Sequence, residues 1–210
     1  IIATAAGAGI EKLFREYRTD VVVSGGQTMN PSTKDFCNAI AEVNARHIYI
    51  LPNNSNIIMA AKQAADVTSG KDIIVLETRS IPQGLSACIS FNPDASVDEN
   101  TAQMKDAIAN VRTGQVTYAI KDTTVDGREI HEGDYMGLFE KDIIVTSRDK
   151  LDASRALIDE MMDEDSEIVT LIRGKDATEE ECTELEEYIR ENYEADVDVQ
   201  DGGQPVYSFI

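Results

Sequence analysis

The chain has 210 residues, 42 % of them hydrophobic and 6 % aromatic, with 19 Lys and Arg against 39 Asp and Glu and a formal net charge of −20. That length suits one domain or two small lobes, and without tryptophan the core has to be built mainly from Ile, Val, Leu, Ala and Met. An acidic surface repels phosphate backbones, which argues against nucleic-acid binding, and no run approaches the roughly 18 apolar residues of a membrane span.

The segment up to about residue 92 alternates strand and helix. Residues 1–5 form a short apolar run, followed by Gly7-Ala8-Gly9 and a helix over 10–17 with Ile10, Leu13, Phe14 and Tyr17 at helical spacing. Val21-Val22-Val23 is a β-branched run suited to a strand buried on both faces. Ser32 or Thr33 is placed to cap the next helix, with Asp35 near its third position and Phe36, Cys37, Ile40 and Val43 as its apolar face. Residues 47–51 read as a strand, 52–65 as a helix and 71–77 as a strand. Residues 78–84 read as a polar turn, and 83–91 as a return to helix. Such βαβα order predicts a parallel sheet with helices on its faces.

The pattern changes after Asn92-Pro93. A helix over 98–111, a strand over 115–121 and an Asp126-Gly127 hairpin signal come next. Residues 128–131 return, a strand covers 142–146, and a helix covers 151–162. A strand over 167–173 precedes a helix over 177–192, for which Asp176 is the expected cap and Glu179 its box partner. Residues 196–199 and 205–210 are strand-like. The expected fold is therefore α/β and two-lobed: a parallel, Rossmann-like lobe over 1–92 and a mixed-sheet α+β lobe over 93–210.

The first residues show no basic segment ahead of an apolar one, so no secretory signal is read. The chain starts without Met in an expected strand, which points to a piece of a longer polypeptide. Cys37, Cys88 and Cys182 are distant from one another and odd in number. Reduced thiols in the cytoplasm are the expectation, and no closely spaced Cys or His set suggests zinc. Residues 159–201 hold 18 acidic and 3 basic residues. That stretch is either a solvated face or a docking face for a basic partner.

Three polar segments leave strands of the first lobe: Ser24-Gly25-Gly26-Gln27-Thr28-Met29-Asn30-Pro31-Ser32, Pro52-Asn53-Asn54-Ser55-Asn56, and Thr78-Arg79-Ser80-Ile81-Pro82-Gln83-Gly84. In a parallel sheet with right-handed crossovers they emerge on one rim, where ligands of open α/β sheets gather. The glycines allow close approach of a ligand or backbone. The helix starts offer N–H groups to an anion, and Arg79 suits a carboxylate or phosphate. Capping and surface ion pairing explain the same residues equally simply. The first loop is neither a P-loop nor a GxGxxG fingerprint. Amides and hydroxyls predominate, and no nucleophile–base pair or metal cluster is apparent, so no catalytic residue is assigned. Gly202-Gly203-Gln204-Pro205 repeats the Gly-Gly-Gln theme before the final residues, where a tight turn is the plain alternative.

Together, residues 22–33, 51–58, 80–85, Thr113-Gly114-Gln115-Val116-Thr117 and Gly202-Gly203-Gln204-Pro205 resemble one family in order and spacing. It is the carboxyl-terminal region of the ATP-binding subunit of bacterial fatty acid kinase, a dihydroxyacetone kinase-related group also labelled Dak phosphatase-like. The resemblance implies a DegV-like fold of two lobes. It also implies a partner, the fatty-acid-binding carrier protein, whose bound acyl carboxylate a kinase domain elsewhere in the parent chain phosphorylates. ATP and magnesium are expected only in that kinase domain and no cofactor in these 210 residues. The parent chain is expected to self-associate. Two other functions stay open: a module binding a fatty acid or small anion directly, and a phosphatase-type hydrolase.

Overall fold

The β-branched runs of the first half pair with one another rather than with neighbours in sequence. In the computed structural model, which describes residues 1–26 and 29–210, strands β1 (Ile2–Ala5), β2 (Val21–Ser24), β3 (His47–Leu51) and β4 (Asp72–Val75) are all parallel, in the order β2-β1-β3-β4. β1 and β3 sit in the middle, so their apolar residues have neighbours on both sides and Ile2, Ala3, Ile50 and Leu51 are fully covered.

Helices α1 (Ala8–Glu16), α2 (Thr33–Glu42), α3 (Ile58–Val67), α4 (Ile81–Ser90) and α5 (Val97–Ala109) complete this part. Their apolar residues recur every three or four positions: Ile10, Leu13 and Phe14 on α1; Phe36, Ala39 and Ile40 on α2; Ala61 and Ala64 on α3. Phe36, Ile40, Ile57 and Ala61 share one core cluster with Ile2, Val23, Ile48 and Ile50 of the sheet. Ser32 closes a capping box with Asp35, whose carboxyl is held below its usual range by the Ser32 hydroxyl and then the Ser32 amide. Ser96 and Glu99 do the same for α5.

The chain divides into two compact units, residues 1–111 and 112–210. The division lies past the expected position near residue 92 because α5 packs along α4 and its first carbonyl, Val97 O, accepts the Tyr49 hydroxyl at 2.9 Å. Residues 93–111 thus fold with the parallel sheet. The polar turn expected over 78–84 is in part helix: Ser80 caps α4 by accepting from the Gln83 amide, and Pro82 lies in the first turn, where a missing N–H costs nothing.

In the second unit β5 (Gly114–Tyr118), β8 (Tyr135–Phe139) and β9 (Asp142–Ser147) form an antiparallel meander. β6 (Thr123–Val125) and β7 (Arg128–Ile130) make the hairpin expected from Asp126-Gly127, with φ of 50° and 77° at the turn. β10 (Ile168–Arg173) and β11 (Asp196–Asp201) pair in parallel through α7 (Glu179–Asn192). Phe209 bridges Val116 on one side and Arg173 on the other; the strand expected over 205–210 is reduced to this bridge. α6 (Lys150–Met161) and α7 supply Leu157, Cys182 and Leu185 to a core with Val116, Leu171 and Phe209.

Two expectations change in this unit. Thr178, not Asp176, caps α7, with Glu181 rather than Glu179 as box partner; the Asp176 carboxylate instead accepts the Ser208 hydroxyl at 2.8 Å. β8 carried no strand signal, because Gly137 interrupts it. A Cβ there would stand 3.1 Å from Leu157 Cβ, so the glycine is what lets α6 approach.

Candidate functional site: a polar rim on the parallel sheet

All four strands of the first sheet run the same way, so the segments after Ala5, Ser24, Leu51 and Val75 leave from one edge. The order β2-β1-β3-β4 reverses direction between β1 and β3, and the crevice beyond such a reversal is where open α/β sheets hold ligands. The three polar loops read from sequence therefore share a rim, and hydrogen bonds tie them together.

Asn53 is the centre of that tie. Its Nδ2 donates to Thr4 O at 2.9 Å, and its backbone N–H donates to Thr78 Oγ1 at 2.9 Å. One residue thus links the carboxyl ends of β1, β3 and the loop after β4. Its φ of 59° is left-handed, which asparagine tolerates better than most residues. Gly84 makes the fit possible: a Cβ there would lie 2.1 Å from Asn53 Oδ1. Gly25 plays a similar part in the first loop. It donates to Ala5 O at 3.0 Å with φ of 150°, and a Cβ would meet Met29 O and the Pro31 ring at 2.7 Å.

Among the other residues singled out, Ser24 and Asn30 are exposed, while Gly26 donates to Met29 O at 3.0 Å. Gln27 and Thr28 lie outside the described residues. The Ser32 hydroxyl is used within its capping box, donating to Asp35 Oδ2 at 2.7 Å. Asn54 is buried; its Oδ1 accepts the amide of the exposed Asn56 at 2.9 Å. Ser80 is buried at the start of α4, and Gln83 accepts the Arg79 amide through Oε1 at 2.8 Å. The Arg79 side chain is exposed. Lys62 first, with Arg79 as a weaker contributor, holds the Glu77 carboxyl below its usual range.

Gly202, Gly203 and Gln204 belong to the other unit. There both glycine amides donate to Arg173 O at 3.0 Å, and Gln204 donates to Ile172 O through Nε2 at 3.0 Å. They close the carboxyl ends of β10 and β11.

Sequence reasoning missed Thr4. It is 1 % exposed at the end of β1, and its Oγ1 has no hydrogen-bond partner; the same holds for Asn53 Oδ1 and Asn54 Nδ2. Leaving a buried polar atom unpaired costs about 1–3 kcal/mol. Three such atoms come from two adjacent strand ends. Asn53 Oδ1 is packed against Gly84, which leaves the Thr4 hydroxyl and the Asn54 amide as groups with hydrogen bonds still to make. A threonine within the apolar run Ile1-Ile2-Ala3-Thr4-Ala5 was the available signal. Among the described residues no group of three His, Cys, Asp or Glu side chains is arranged to hold a metal ion. The three cysteines are free, and burial raises the Cys88 thiol above its usual range. No helix among the described residues is long and apolar enough to cross a membrane.

Known proteins share both sequence and fold with this chain. Protein YloV of Bacillus subtilis is 47 % identical over 211 residues, covering all of this chain and 38 % of YloV; the chain thus spans well under half of that relative. Among solved structures, DegV family protein Cg2579 from Corynebacterium glutamicum superposes with a TM-score of 0.67 at 13 % identity, covering 99 % of this chain and 92 % of that one. A DegV family protein from Thermus thermophilus, described as binding fatty acid, gives 0.56 at 15 % identity over 96 % and 83 %. The fold is accordingly DegV-like. The model of the FakA-like C-terminal family, that of the C-terminal region of the A-like fatty acid kinase subunits, matches residues 1–210 without a break, and it is to that family that the chain belongs.

Proposed function

We propose that this chain is the recognition region of a fatty acid kinase subunit, docking the fatty-acid carrier protein so that a kinase domain elsewhere in the longer polypeptide phosphorylates the bound acyl carboxylate. The observation that carries the reading is the family match over the whole chain, with a rim of amides and hydroxyls rather than paired acids and bases. Holding two reactants in register lowers a barrier by up to about 7–11 kcal/mol in ideal cases, so docking alone affects rate. ATP and magnesium belong, on this reading, to the kinase domain, and the setting is cytoplasmic. Calorimetric titration of the 210-residue chain with its cognate carrier tests it. Saturable binding is expected; absence of any heat at about 1 mM, the weak end of specific association, rejects it.

A second reading has its own support. The unpaired Thr4 hydroxyl and Asn54 amide lie where a DegV-like sheet reverses, and the Thermus thermophilus relative in fold is described as binding fatty acid. Here the rim itself holds an acyl carboxylate or another small anion. Lipid extraction and native mass spectrometry of the purified chain separate the two readings: a co-purifying fatty acid favours direct binding, and its absence leaves docking.

A further inference from the structure

We propose that the cleft at the amino ends of β10 and β11 seats a cationic side chain, Arg or Lys, of the docked protein partner. The cleft encloses about 670 Å³ and is lined by Glu167, Ile168, Arg190, Tyr193, Glu194 and Asp196, with Ala195 between the last two. The inference rests on the carrier-docking reading and adds to it a place and a chemistry.

Three observations converge. Ile168 opens β10 yet is 72 % exposed, a large apolar side chain at the mouth of a concave surface. The Glu167, Glu194 and Asp196 carboxylates have no ion-pair partner among the described residues, while Arg190 in the same cleft is already bound to Glu186 at 2.7 Å. The cleft therefore carries acceptors without an uncommitted counter-ion. Around it, residues 112–210 hold 27 acidic and 10 basic residues, a balance of −17, against 12 and 9 in residues 1–111.

An exposed ion pair alone contributes little, because water and salt screen it. A cleft with an apolar floor changes that by shielding the pair, as anchor pockets of interfaces do. A long basic side chain fits both parts, its methylenes on Ile168 and its head among the carboxylates. The Tyr193 ring is a further surface for a guanidinium, since its hydroxyl is turned to Asp159 Oδ1 at 2.6 Å. A second copy of this chain is disfavoured as the occupant, because it brings the same negative excess to the contact.

The test is calorimetry of the 210-residue chain with the cognate carrier at low and moderate salt. One variant combines Glu167→Gln, Glu194→Gln and Asp196→Asn; another is Ile168→Ser; a control combines Glu129→Gln, Glu179→Gln and Glu187→Gln, removing three exposed charges outside the cleft. Each cleft variant is expected to weaken binding at least about tenfold, and the control less than about threefold. The charge variant also flattens the salt dependence. All these positions are exposed, so circular dichroism is expected to show unchanged folding. Equal weakening by cleft and control variants overturns the proposal in favour of a general field effect, and so does full binding by the cleft variants. Absence of binding by the unaltered chain rejects the carrier reading and this inference with it, and is seen before any variant is compared.

Discussion

Residues 1–111 surround an all-parallel sheet with nearly balanced charge; residues 112–210 surround a mixed sheet with a large acidic excess. Yet each unit contains parallel strands joined by a crossover helix, and each closes the carboxyl ends of those strands with a glycine pressed against a polar group. In the first, Gly84 faces the Asn53 side-chain amide; in the second, Gly174 faces Tyr207 O. The contrast teaches that the same edge of a parallel sheet is used in two ways. The first unit leaves hydrogen-bonding groups unsatisfied there, at Thr4 and Asn54, whereas the second spends its loops on internal bonds and carries charge on its outer face.

The comparison is sharpest at the two glycines. Gly174→Ala puts a methyl 1.9 Å from a backbone carbonyl in a segment tied to Val116 and Ile172, which has no rotamer through which to yield. Destabilisation of about 3 kcal/mol or more is expected, seen as early loss of hydrogen-exchange protection in residues 112–210 alone. Gly84→Ala is expected to cost less, about 2 kcal/mol, in residues 1–111. The clash is with a side chain, and Ala gains up to about 1 kcal/mol of helix propensity. Equal effects would mean that Asn53 is as immobile as backbone.

Asn53→Ala removes the link among three strand ends and leaves alanine in a left-handed conformation. About 2 kcal/mol is expected from urea unfolding. Thr4→Val goes the other way: an unpaired buried hydroxyl becomes a methyl of the same shape, and stability rises by about 1 kcal/mol. If the rim binds a carboxylate, the same variant loses that ligand while becoming more stable, a pairing that a merely structural threonine would not show.

The smallest effect concerns pH. Burial first, and the Asp159 hydrogen bond second, push the Tyr193 hydroxyl up to about 12 from 10.0. A group whose folded pKa is raised contributes stability below its unfolded value and loses it as pH rises through the folded one. Residues 112–210 should therefore lose stability between about pH 10 and pH 12. Tyr193→Phe should flatten that loss, as read by melting temperature, with residues 1–111 unaffected by the substitution.

Much of the parallel unit was legible because its signals are local. Val21-Val22-Val23 and His47 to Leu51 form strands as their β-branched content predicts, and Ser32 with Asp35 forms its capping box. The start of α4 was hidden because Thr78, Arg79 and Ser80 read as turn residues until Ser80 is seen to cap. β8 was hidden because Gly137 lowers strand propensity for the sake of a helix that packs on it. Of the candidate site, the three loops and their shared rim followed from strand direction. The unpaired Thr4 hydroxyl did not, because a pattern of residue types says nothing about which atoms find partners.

The amino-acid sequence by itself determined the alternation of strand and helix, the capping boxes, the Asp126-Gly127 hairpin and the acidic excess after residue 159, all properties of near neighbours or of simple sums. Tertiary structure alone decided that β1 and β3 lie side by side at the reversal, that Asn53 joins three strand ends against Gly84, and that Ile168 stands open among carboxylates. Those outcomes depend on groups far apart in the chain competing for the same partners and the same space, and that competition is settled only when the whole core closes.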